Sequence, residues 1–516
     1  MIVTFKDYRH DLHETCDVCV VGSGPGGAVT AKELAEKGLA VVLLEEGDYV
    51  TRSDWNGMPL PGLMRLYRDG GATGTIGNTF VSVTMGRCIG GSSTVNSATC
   101  FRTPAPVLAN WRRDLGLADL TAENLDPVFQ RVEKILNVTA LPWEVLGKNA
   151  RIVKRGCDRL GLTCRPLLHN VKDCRGCGPC QFGCQEGAKQ SVDVTYIPRA
   201  EQAGARIFAN CRAERLIIHN HLVQGVTAAV IHPQTGARRY TVNVSARVVV
   251  VACGAMLTPA FLRRNGLKNR HLGRNLQIHP GTRVVALMDE VVEGWKGVSQ
   301  GVYVDDFQGQ GIMLEGIFVH PSLLLPALPG IGQAHKQMAM DCRRLAAFGV
   351  MAHDETTGRV LNLPGSGRAN RPVSTYFVSP ADIRRLVTGV ARTAEIFFAA
   401  GAQKVFTGIA RMPVIKAPAE IEKLLDLKIK PAQVEIMAFH PLGSCRMAGH
   451  PRLGPVSPTG ETYDVGNLYV ADGSVVPTSL GVNPQITIMA LATLIAGAIH
   501  RRLTHLKPEI SQKETR

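Results

Sequence analysis

The 516-residue chain lacks the features that mark nucleic-acid-binding, exported and membrane-spanning proteins. It has no long run of Lys and Arg, and aromatic residues make up only 5% of it, so neither a basic stripe nor a stacking platform is present. Residues 1–24 carry Asp, Arg, His and Glu where the apolar stretch of a secretory signal would lie. The uncharged apolar run at 486–499 is too short to cross a bilayer and is typical of a buried helix. We therefore expect a cytoplasmic protein that binds no nucleic acid.

Internal repeats and low-complexity linkers are also missing, and what remains is an ordinary globular composition. Apolar residues make up 45% and charged residues 20% of the chain, and the net charge is +15. This charge fits a solvated basic surface, and it leaves an acidic redox partner or an anionic membrane surface open. The 53 glycines indicate many tight turns or close contacts between backbone and ligand.

The first 45 residues have the pattern of a βαβ unit. Apolar residues 16–21 predict a strand, residues 28–37 a helix, and residues 40–44 a second strand. Two later apolar runs, 246–253 and 467–471, predict further buried strands, and a helix is expected from about Asn483. Strands at the start, middle and end of the chain indicate a parallel sheet assembled from separated segments.

The turn of this unit fits the G-x-G-x-x-G pattern of dinucleotide-binding sites. Gly22 permits the tight turn, Gly24 lets the backbone approach a pyrophosphate, and Gly27 lets helix and strand pack closely. The N-terminus of the helix then faces the phosphates. Glu45 ends the second strand and is the predicted acceptor for ribose hydroxyls, with Glu46 as the alternative.

A second glycine-rich segment runs from residue 86 to residue 96 and reads GRCIGGSSTVN. Its small residues can line a flat ring or a diphosphate, although a plain surface turn has the same composition.

Five segments together resemble the glucose–methanol–choline (GMC) family of flavin oxidoreductases. They occur in the family's order and read GSGPGG with LLEEG, GRCIGGSSTVN, CGAMLTPAFLRRNGL, HPLGSCRMAG and ADGSVVPTSLGVNPQITIMALA. The resemblance covers about residues 12–505 and implies FAD as the cofactor and oxidation of an alcohol by hydride transfer to the flavin. It also implies which other residues contact FAD: Gly86, Gly90, Gly91, Ser92, Asn96, Ala213, Asp472 and Gly473. Some members carry a His bonded to the flavin where this chain has Val95, so we expect non-covalent FAD.

The fold class expected from this resemblance is α/β. A Rossmann-like FAD/NAD(P)-binding domain is built from discontinuous segments and is joined to an α+β substrate domain with a mostly antiparallel sheet. We predict that residues 12–110, 195–285 and 436–508 form the FAD-binding domain. Residues 111–194 are predicted to be an insertion, and residues 286–435 the substrate-binding domain.

The resemblance also implies the catalytic pair. His440 matches the family's active-site His, and an imidazole is suited to accept the hydroxyl proton at neutral pH. Asn483 matches the second site residue, whose amide can donate to the developing alkoxide. The alternative for Asn483 is an N-cap of the following helix, with Pro484 at its first position.

Four of the 14 cysteines fall within 11 residues: Cys174, Cys177, Cys180 and Cys184. Their C-x2-C-x2-C-x3-C spacing is that of bacterial ferredoxins and predicts a [4Fe–4S] cluster. A structural zinc site suits the same thiols, and so do structural thiols or disulfides without a metal. The glycines between them, at 176, 178 and 183, would let the backbone wrap around a compact cluster.

Residues 316–333 form an apolar segment without Lys, Arg, Asp or Glu. It fits a buried loop, a lid over an apolar alcohol, or a patch in peripheral contact with a membrane. The function we predict is FAD-dependent oxidation of an apolar alcohol, with electrons passing through the iron–sulfur cluster to a redox partner protein or quinone. The alternatives are an oxygen-using alcohol oxidase with a zinc or empty Cys site, a non-catalytic flavin/iron–sulfur electron-transfer subunit, and a zinc-knuckle nucleic-acid-binding protein.

Overall fold

The computed structural model describes residues 1–318, 320–363 and 372–505. Residues 506–508 of the predicted FAD-binding domain and residue 319 of the apolar segment lie outside these ranges. The strands, in chain order, are β1 Ile2–Val3, β2 Leu12–Val21, β3 Val41–Leu44, β4 Gly74–Thr75, β5 Val81–Val83, β6 Val138–Ala140, β7 Cys164–Pro166, β8 Leu168–Asn170, β9 Arg206–Phe208, β10 Cys211–His219, β11 Leu222–Ile231, β12 Arg238–Val251, β13 Gly281–Met288, β14 Val302–Val304, β15 Ile312–Gly316, β16 Leu345–Ala352, β17 Arg359–Leu361, β18 Val373–Thr375, β19 Ala402–Phe406, β20 Val414–Ile415, β21 Met437–Ala438 and β22 Leu468–Val470. The α-helices are α1 Pro25–Ala35, α2 Pro59–Leu66, α3 Ser92–Val95, α4 Ala105–Leu115, α5 Ala122–Leu136, α6 Trp143–Leu160, α7 Val192–Gln202, α8 Thr258–Arg264, α9 Pro321–Leu324, α10 Gly332–Met340, α11 Pro380–Ala399, α12 Ile421–Leu425 and α13 Gln485–His505.

The first large sheet has the strand order β1-β9-β3-β2-β12-β11-β10, and β22 also pairs with β12. Strands β2, β3, β9, β12 and β22 pair in parallel, while β10, β11 and β12 form an antiparallel meander. Strand β3 and the last four residues of β12 are wholly apolar and buried, as strands of a parallel sheet covered on both faces must be. Helices α1 and α7 pack together, and α1 also packs against α13.

The predicted βαβ unit is confirmed, because β2, α1 and β3 follow one another and β2 pairs in parallel with β3. The sheet collects strands from the beginning, middle and end of the chain, and the Rossmann-like fold class is therefore confirmed. Strand β12 is longer than expected, since the prediction covered only 246–253 and the strand begins at Arg238.

The second large sheet has ten strands in the order β4-β5-β21-β13-β16-β15-β14-β7, with β19 paired to β13 and β20. All its pairs are antiparallel except β5 with β21, so the mostly antiparallel substrate sheet is confirmed. Four of its strands, β4, β5, β7 and β21, come from segments outside the predicted substrate domain 286–435. The boundaries of the three predicted domains stay a prediction.

Helices α6 and α11 pack together against the second sheet. Their backbones cross closely, because a Cβ on Gly156 of α6 would lie 2.1 Å from the carbonyl oxygen of Ile396 on α11. Helix α13 is long and apolar enough to cross a membrane by length and composition. More than half of its apolar stretch is nevertheless buried in the protein, where it packs against α1 and α5, as expected for residues 486–499.

Candidate active site

The carboxyl ends of β2, β3, β12 and β22 meet at one edge of the first sheet, which is where ligands bind in such folds. The chain leaves β2 through Gly22, leaves β3 through Glu45, and leaves β22 just before Asp472. This edge therefore brings three of the predicted FAD-contacting segments together.

In the first glycine-rich turn, some glycines are required by the packing of the protein and one is not. A Cβ on Gly27 would lie 1.9 Å from the carbonyl oxygen of Gly22, and Gly22 itself has a φ of +100°, so both are required by the packing of the turn. A Cβ on Gly24, in contrast, would meet no atom of the described chain within 4 Å. Gly24 is also the N-cap of α1 and offers no side chain to the first N–H groups of this helix.

Glu45 closes this turn from the end of β3. One of its carboxylate oxygens accepts hydrogen bonds from the backbone N–H and the hydroxyl of Ser23, at 2.9 and 2.7 Å, and the other accepts from Gly47 N–H at 2.8 Å. Glu46 instead pairs with Arg68. The ribose contact of Glu45 stays a prediction.

The second glycine-rich segment lies against the first. Gly90 N–H donates to the Ser23 hydroxyl at 3.1 Å, and a Cβ on Gly91 would lie 2.8 Å from Cα of Gly24. Gly86 is held by its neighbours in the same loop, because its N–H donates to the Ser92 hydroxyl at 3.1 Å. Residues 86–96 are therefore not a plain surface turn but a loop that packs against the first glycine-rich turn. We call it the flavin loop.

Asn96 ends the flavin loop and links it to α13 through a 2.7 Å hydrogen bond from its amide to Gln485 Oε1. Ala213 lies in β10, whose first residue, Cys211, donates its N–H to the carbonyl oxygen of Glu45 at 2.7 Å.

Asp472 ties the third segment to the others. Its carboxylate accepts hydrogen bonds from Gly254 N–H at 2.8 Å, the Thr258 hydroxyl at 2.5 Å and Ser474 N–H at 2.7 Å. Burial raises the pKa of this carboxyl above its ordinary value, although these hydrogen bonds oppose the shift. Gly473 packs against the loop after His440, since its Cβ would lie 3.0 Å from the carbonyl oxygen of Pro441.

His440 and Asn483 are in contact, with 3.2 Å between Nε2 of His440 and the Asn483 amide nitrogen. His440 is partly exposed, and Asn483 is buried. Within the described ranges, the Asn483 side-chain oxygen has no hydrogen-bond partner, so the N-cap alternative is not what the side chain does. Burial lowers the pKa of His440 to about 4, and the ring is therefore neutral at pH 7.

Two further buried groups complete this site, and sequence reasoning missed both. His279 lies with its Nδ1 3.2 Å from Nδ1 of His440, and its backbone is in the left-handed region with a φ of +52°. The Asp354 carboxylate holds that strained turn by accepting hydrogen bonds from Ile278 N–H at 2.9 Å and His279 N–H at 3.3 Å.

The second missed group is Glu315 on β15. Its side chain contacts those of Asn483 and Gln300, and burial raises its pKa to about 7. One of its carboxyl oxygens, Oε2, is buried and has no partner among the residues that the structure describes. A carboxyl group in this state can hold or release a proton near neutral pH.

The cysteine segment does not form the predicted metal site. In residues 1–318, 320–363 and 372–505, no group of three or more His, Cys, Asp or Glu side chains is placed to hold a metal ion. Cys177 is exposed and Cys184 is buried, where its sulfur accepts from Lys189 N–H at 3.4 Å. Burial raises the pKa of Cys174 and Cys180 above the ordinary value of a thiol.

The glycines between these cysteines also have another role than the predicted one. A Cβ would lie 2.5 Å from the carbonyl oxygen of Val145 at Gly176, 2.1 Å from that of Trp295 at Gly178, and 2.8 Å from the Trp55 ring at Gly183. They let the segment pack closely against other parts of the protein. Neither the [4Fe–4S] cluster nor the zinc alternative is confirmed.

Comparison with known proteins gives the family. The GMC oxidoreductase family models match residues 63–281 and 356–492, and an NAD(P)-binding Rossmann-like model matches residues 20–71. The chain belongs to the GMC oxidoreductase family. It is therefore an FAD-binding oxidoreductase, and the glycine cradle, the uncapped helix N-terminus and the open space at Gly24 fit that cofactor.

Relatives and solved structures agree with this assignment. An uncharacterized GMC-type oxidoreductase of Mycobacterium tuberculosis is 36% identical over 483 residues, which cover 93% of this chain and 75% of the relative. A long-chain-alcohol oxidase of Arabidopsis thaliana is 30% identical over 534 residues, covering 96% of this chain and 70% of the relative. The crystal structure of pyridoxine 4-oxidase from Mesorbium loti has the same fold, with a TM-score of 0.70 at 20% identity over 94% of this chain and 99% of that one.

Proposed function

We propose that this GMC oxidoreductase oxidises an apolar, long-chain alcohol to the aldehyde or ketone. The observation that supports the proposal is the contact between His440 and Asn483. The loop after His440 is joined to the Asp472 loop by hydrogen bonds from Gly443 N–H to the carbonyl oxygen of Gly473, at 3.3 Å, and from Cys445 N–H to that of Ser474, at 2.9 Å. The similarity to a long-chain-alcohol oxidase supports the substrate class.

FAD, when bound, supplies the group that takes the hydride. Gly24 and the flavin loop bind it, and the side chains of His440 and Asn483 orient the hydroxyl group of the substrate. Both side chains are uncharged at neutral pH, so they can hydrogen-bond an alcohol without the cost of burying a charge.

Apolar side chains near the flavin loop support an apolar substrate. Val95 of this loop belongs to a small core with Leu66 and Phe182, and Leu323 from the apolar segment 316–333 packs against the same core. Phe318 and Leu324 of that segment are buried against the second sheet. The segment therefore joins the substrate sheet to the flavin loop, where it can cover an alkyl chain.

Oxygen is the electron acceptor that we propose. The sequence-based hypothesis of a protein or quinone acceptor depended on an iron–sulfur cluster, and the four thiols are not placed as ligands. The relatives that are named as alcohol oxidases favour oxygen instead. A cytoplasmic location and peripheral contact with a membrane stay predictions.

The test of this function is the variant His440→Ala, purified with FAD bound. Because His440 contacts the hydroxyl and not the glycine-rich turns, the variant retains FAD but loses at least about 100-fold in the rate of flavin reduction by alcohol, measured anaerobically by stopped flow. His10→Ala, at an exposed histidine, is the matched control and keeps the wild-type rate.

Reduction of the His440→Ala flavin at a near wild-type rate would show that His440 has no part in the reaction. If alcohols reduce neither protein although dithionite does, the chain is not an alcohol-oxidising enzyme, and the electron-transfer subunit takes its place.

A further inference from the structure

The apolar segment 316–333 borders a cavity of about 420 Å³ on the second sheet. The other walls of the cavity come from β13, from β19 and from the loops at 408–413 and 432–435. Cavities of this size with mostly apolar walls are typical of sites for small organic molecules. We call it the distal cavity, and its buried apolar side chains are Val285, Leu328, Phe406, Ile409 and Val434.

The charged side chains in the wall of the distal cavity neutralise each other. Among the described residues that line it, Arg283 and Glu435 are the charged ones, and they form an ion pair at 2.6 Å. Arg283 is only 11% exposed, so this pair is largely withdrawn from solvent. The wall therefore offers no free charge to a ligand, which favours an uncharged and apolar one.

The distal cavity lies on the face of the second sheet that is turned toward the first sheet. The even-numbered residues of β13, β15 and β16 share one core with helices α6 and α11. The odd-numbered Met313 and Met351, which are opposite each other on β15 and β16, belong instead to the core of the first sheet. Arg283 and Val285 of the cavity wall are odd-numbered residues of β13, so their side chains share the face of these methionines.

Strand β13 leads from the catalytic pair to the distal cavity. His279, just before the strand, has its Nδ1 at 3.2 Å from Nδ1 of His440. The wall residues Arg283 and Val285 follow four and six positions later. At 3.3 Å per residue of extended chain, the near edge of the cavity is at most about 13 Å from His279 and Val285 at most about 20 Å.

The apolar segment 316–333 reaches from the flavin loop to the same cavity. Its Leu323 packs against the small core that contains Val95 of the flavin loop, and Leu328, five positions later, lines the cavity. Phe318 and Leu324 of this segment are buried against the sheet between them. An alkyl chain that leaves the active site along this face is therefore covered by apolar side chains.

We propose that the distal cavity binds the far end of the alkyl chain of the substrate and thereby selects long alcohols. The inference rests on the proposed alcohol oxidation. Each methylene extends a chain by about 1.3 Å, so a chain of about ten carbons reaches the near edge of the cavity, and one of about fifteen carbons reaches Val285. Each methylene buried there strengthens binding about fourfold, whereas alcohols shorter than about ten carbons leave the cavity empty.

The variant Ala410→Trp tests this site, because Ala410 is exposed at the cavity wall and an indole there would fill the cavity without entering the core. Flavin reduction is followed anaerobically with butan-1-ol and with tetradecan-1-ol, both supplied in cyclodextrin. The ratio of their half-saturating concentrations, which measures the preference for the long chain, is expected to fall at least about tenfold. Ala237→Trp, the same change at an exposed alanine between β11 and β12, is the matched control and keeps the wild-type ratio.

A second readout does not depend on turnover. The methyl ester of cis-parinaric acid is an uncharged fluorescent chain without a hydroxyl group, so it can occupy the cavity but cannot be oxidised as an alcohol. Its dissociation constant for the FAD-loaded protein, from fluorescence titration, is expected to rise at least about tenfold in Ala410→Trp and to stay at the wild-type value in Ala237→Trp.

Each result decides the proposal. An unchanged preference for tetradecan-1-ol in Ala410→Trp, or unchanged binding of the ester, overturns the role of the distal cavity while alcohol oxidation stands. A preference that falls equally in Ala237→Trp shows an effect of tryptophan itself and overturns the role as well. If no alcohol reduces the wild-type flavin, the proposed function fails and the selection of long alcohols fails with it.

Discussion

Two glycines of the first turn differ in whether the packing of the protein leaves room for a side chain. Gly27 has no room for a Cβ because the carbonyl oxygen of Gly22 would lie 1.9 Å away. Gly24 has room within the described chain and an ordinary φ of −63°, so the protein itself does not require a glycine there. We predict that the close approach of the FAD pyrophosphate requires it.

Alanine at these two positions should therefore have opposite effects. Gly24→Ala is expected to leave the free energy of unfolding of the apoprotein within about 0.5 kcal/mol of wild type but to weaken FAD binding at least tenfold. Gly27→Ala is expected to destabilise the apoprotein by about 1–3 kcal/mol, because the turn must shift to accept the methyl group. Chemical denaturation and FAD titration of each variant measure both quantities. Unchanged FAD affinity in Gly24→Ala would place the pyrophosphate elsewhere.

Site residues could be predicted from the sequence only where they lie in a segment that resembles the family. His440 and Asn483 lie in segments that resemble the family, and the structure brings them into contact. His279 and Glu315 depend on contacts between distant parts of the chain, such as the hydrogen bond from His279 to His440 across 161 residues. The available signal was a lone carboxylate in the apolar run 312–318, since the His-Pro pair at 279 is one of five in the sequence.

Among the elements, apolar runs predicted the buried strands but not their full length. Strand β12 begins eight residues before the predicted start, because its first half mixes polar and apolar residues and does not form a continuous apolar run. Strands of two or three residues, such as β4 and β21, leave no readable pattern and form because the rest of the sheet offers them hydrogen bonds.

The cysteine segment, residues 174–184, packs closely against the rest of the protein, and the metal site that its spacing predicts is not confirmed. The segment is fastened to the flavin loop by Lys189, whose buried ammonium group donates to the carbonyl oxygens of Thr94, Asn96 and Cys180 at 2.6, 2.9 and 2.7 Å. These hydrogen bonds hold the segment against the flavin loop. Three of its glycines are required because the segment packs closely against other parts of the protein.

We accordingly expect Cys177→Ser to leave the enzyme unchanged. Cys177 is exposed, so the serine should alter neither the FAD content nor the rate of hydrogen peroxide formation with alcohol in air by more than about twofold. The purified wild-type protein should contain less than stoichiometric iron and zinc by elemental analysis. Stoichiometric iron with acid-labile sulfide, together with slow electron delivery in the variant, would restore the iron–sulfur hypothesis.

At the scale of the whole molecule, the two large sheets contribute different parts of the candidate active site. The first sheet brings the two glycine-rich loops and the Asp472 loop to one edge, and the second sheet supplies Glu315 and, just before β13, His279. The resemblance to a family predicted this division, whereas composition and periodicity alone predicted only the first sheet. The route by which strands from outside 286–435 join the second sheet could not be read from local patterns, since it depends on long-range pairing.

The central claim, that an apolar alcohol is oxidised at the His440–Asn483 site, is tested most directly by anaerobic titration of the FAD-loaded protein with primary alcohols of increasing chain length. Each added methylene that is buried contributes about 0.8 kcal/mol, so long-chain alcohols should bleach the flavin absorbance at far lower concentrations than ethanol does. The account predicts full bleaching by one equivalent of a long-chain alcohol per flavin, and recovery of the oxidised spectrum on admitting air. A flavin that dithionite bleaches but that no alcohol of any length reduces would contradict it.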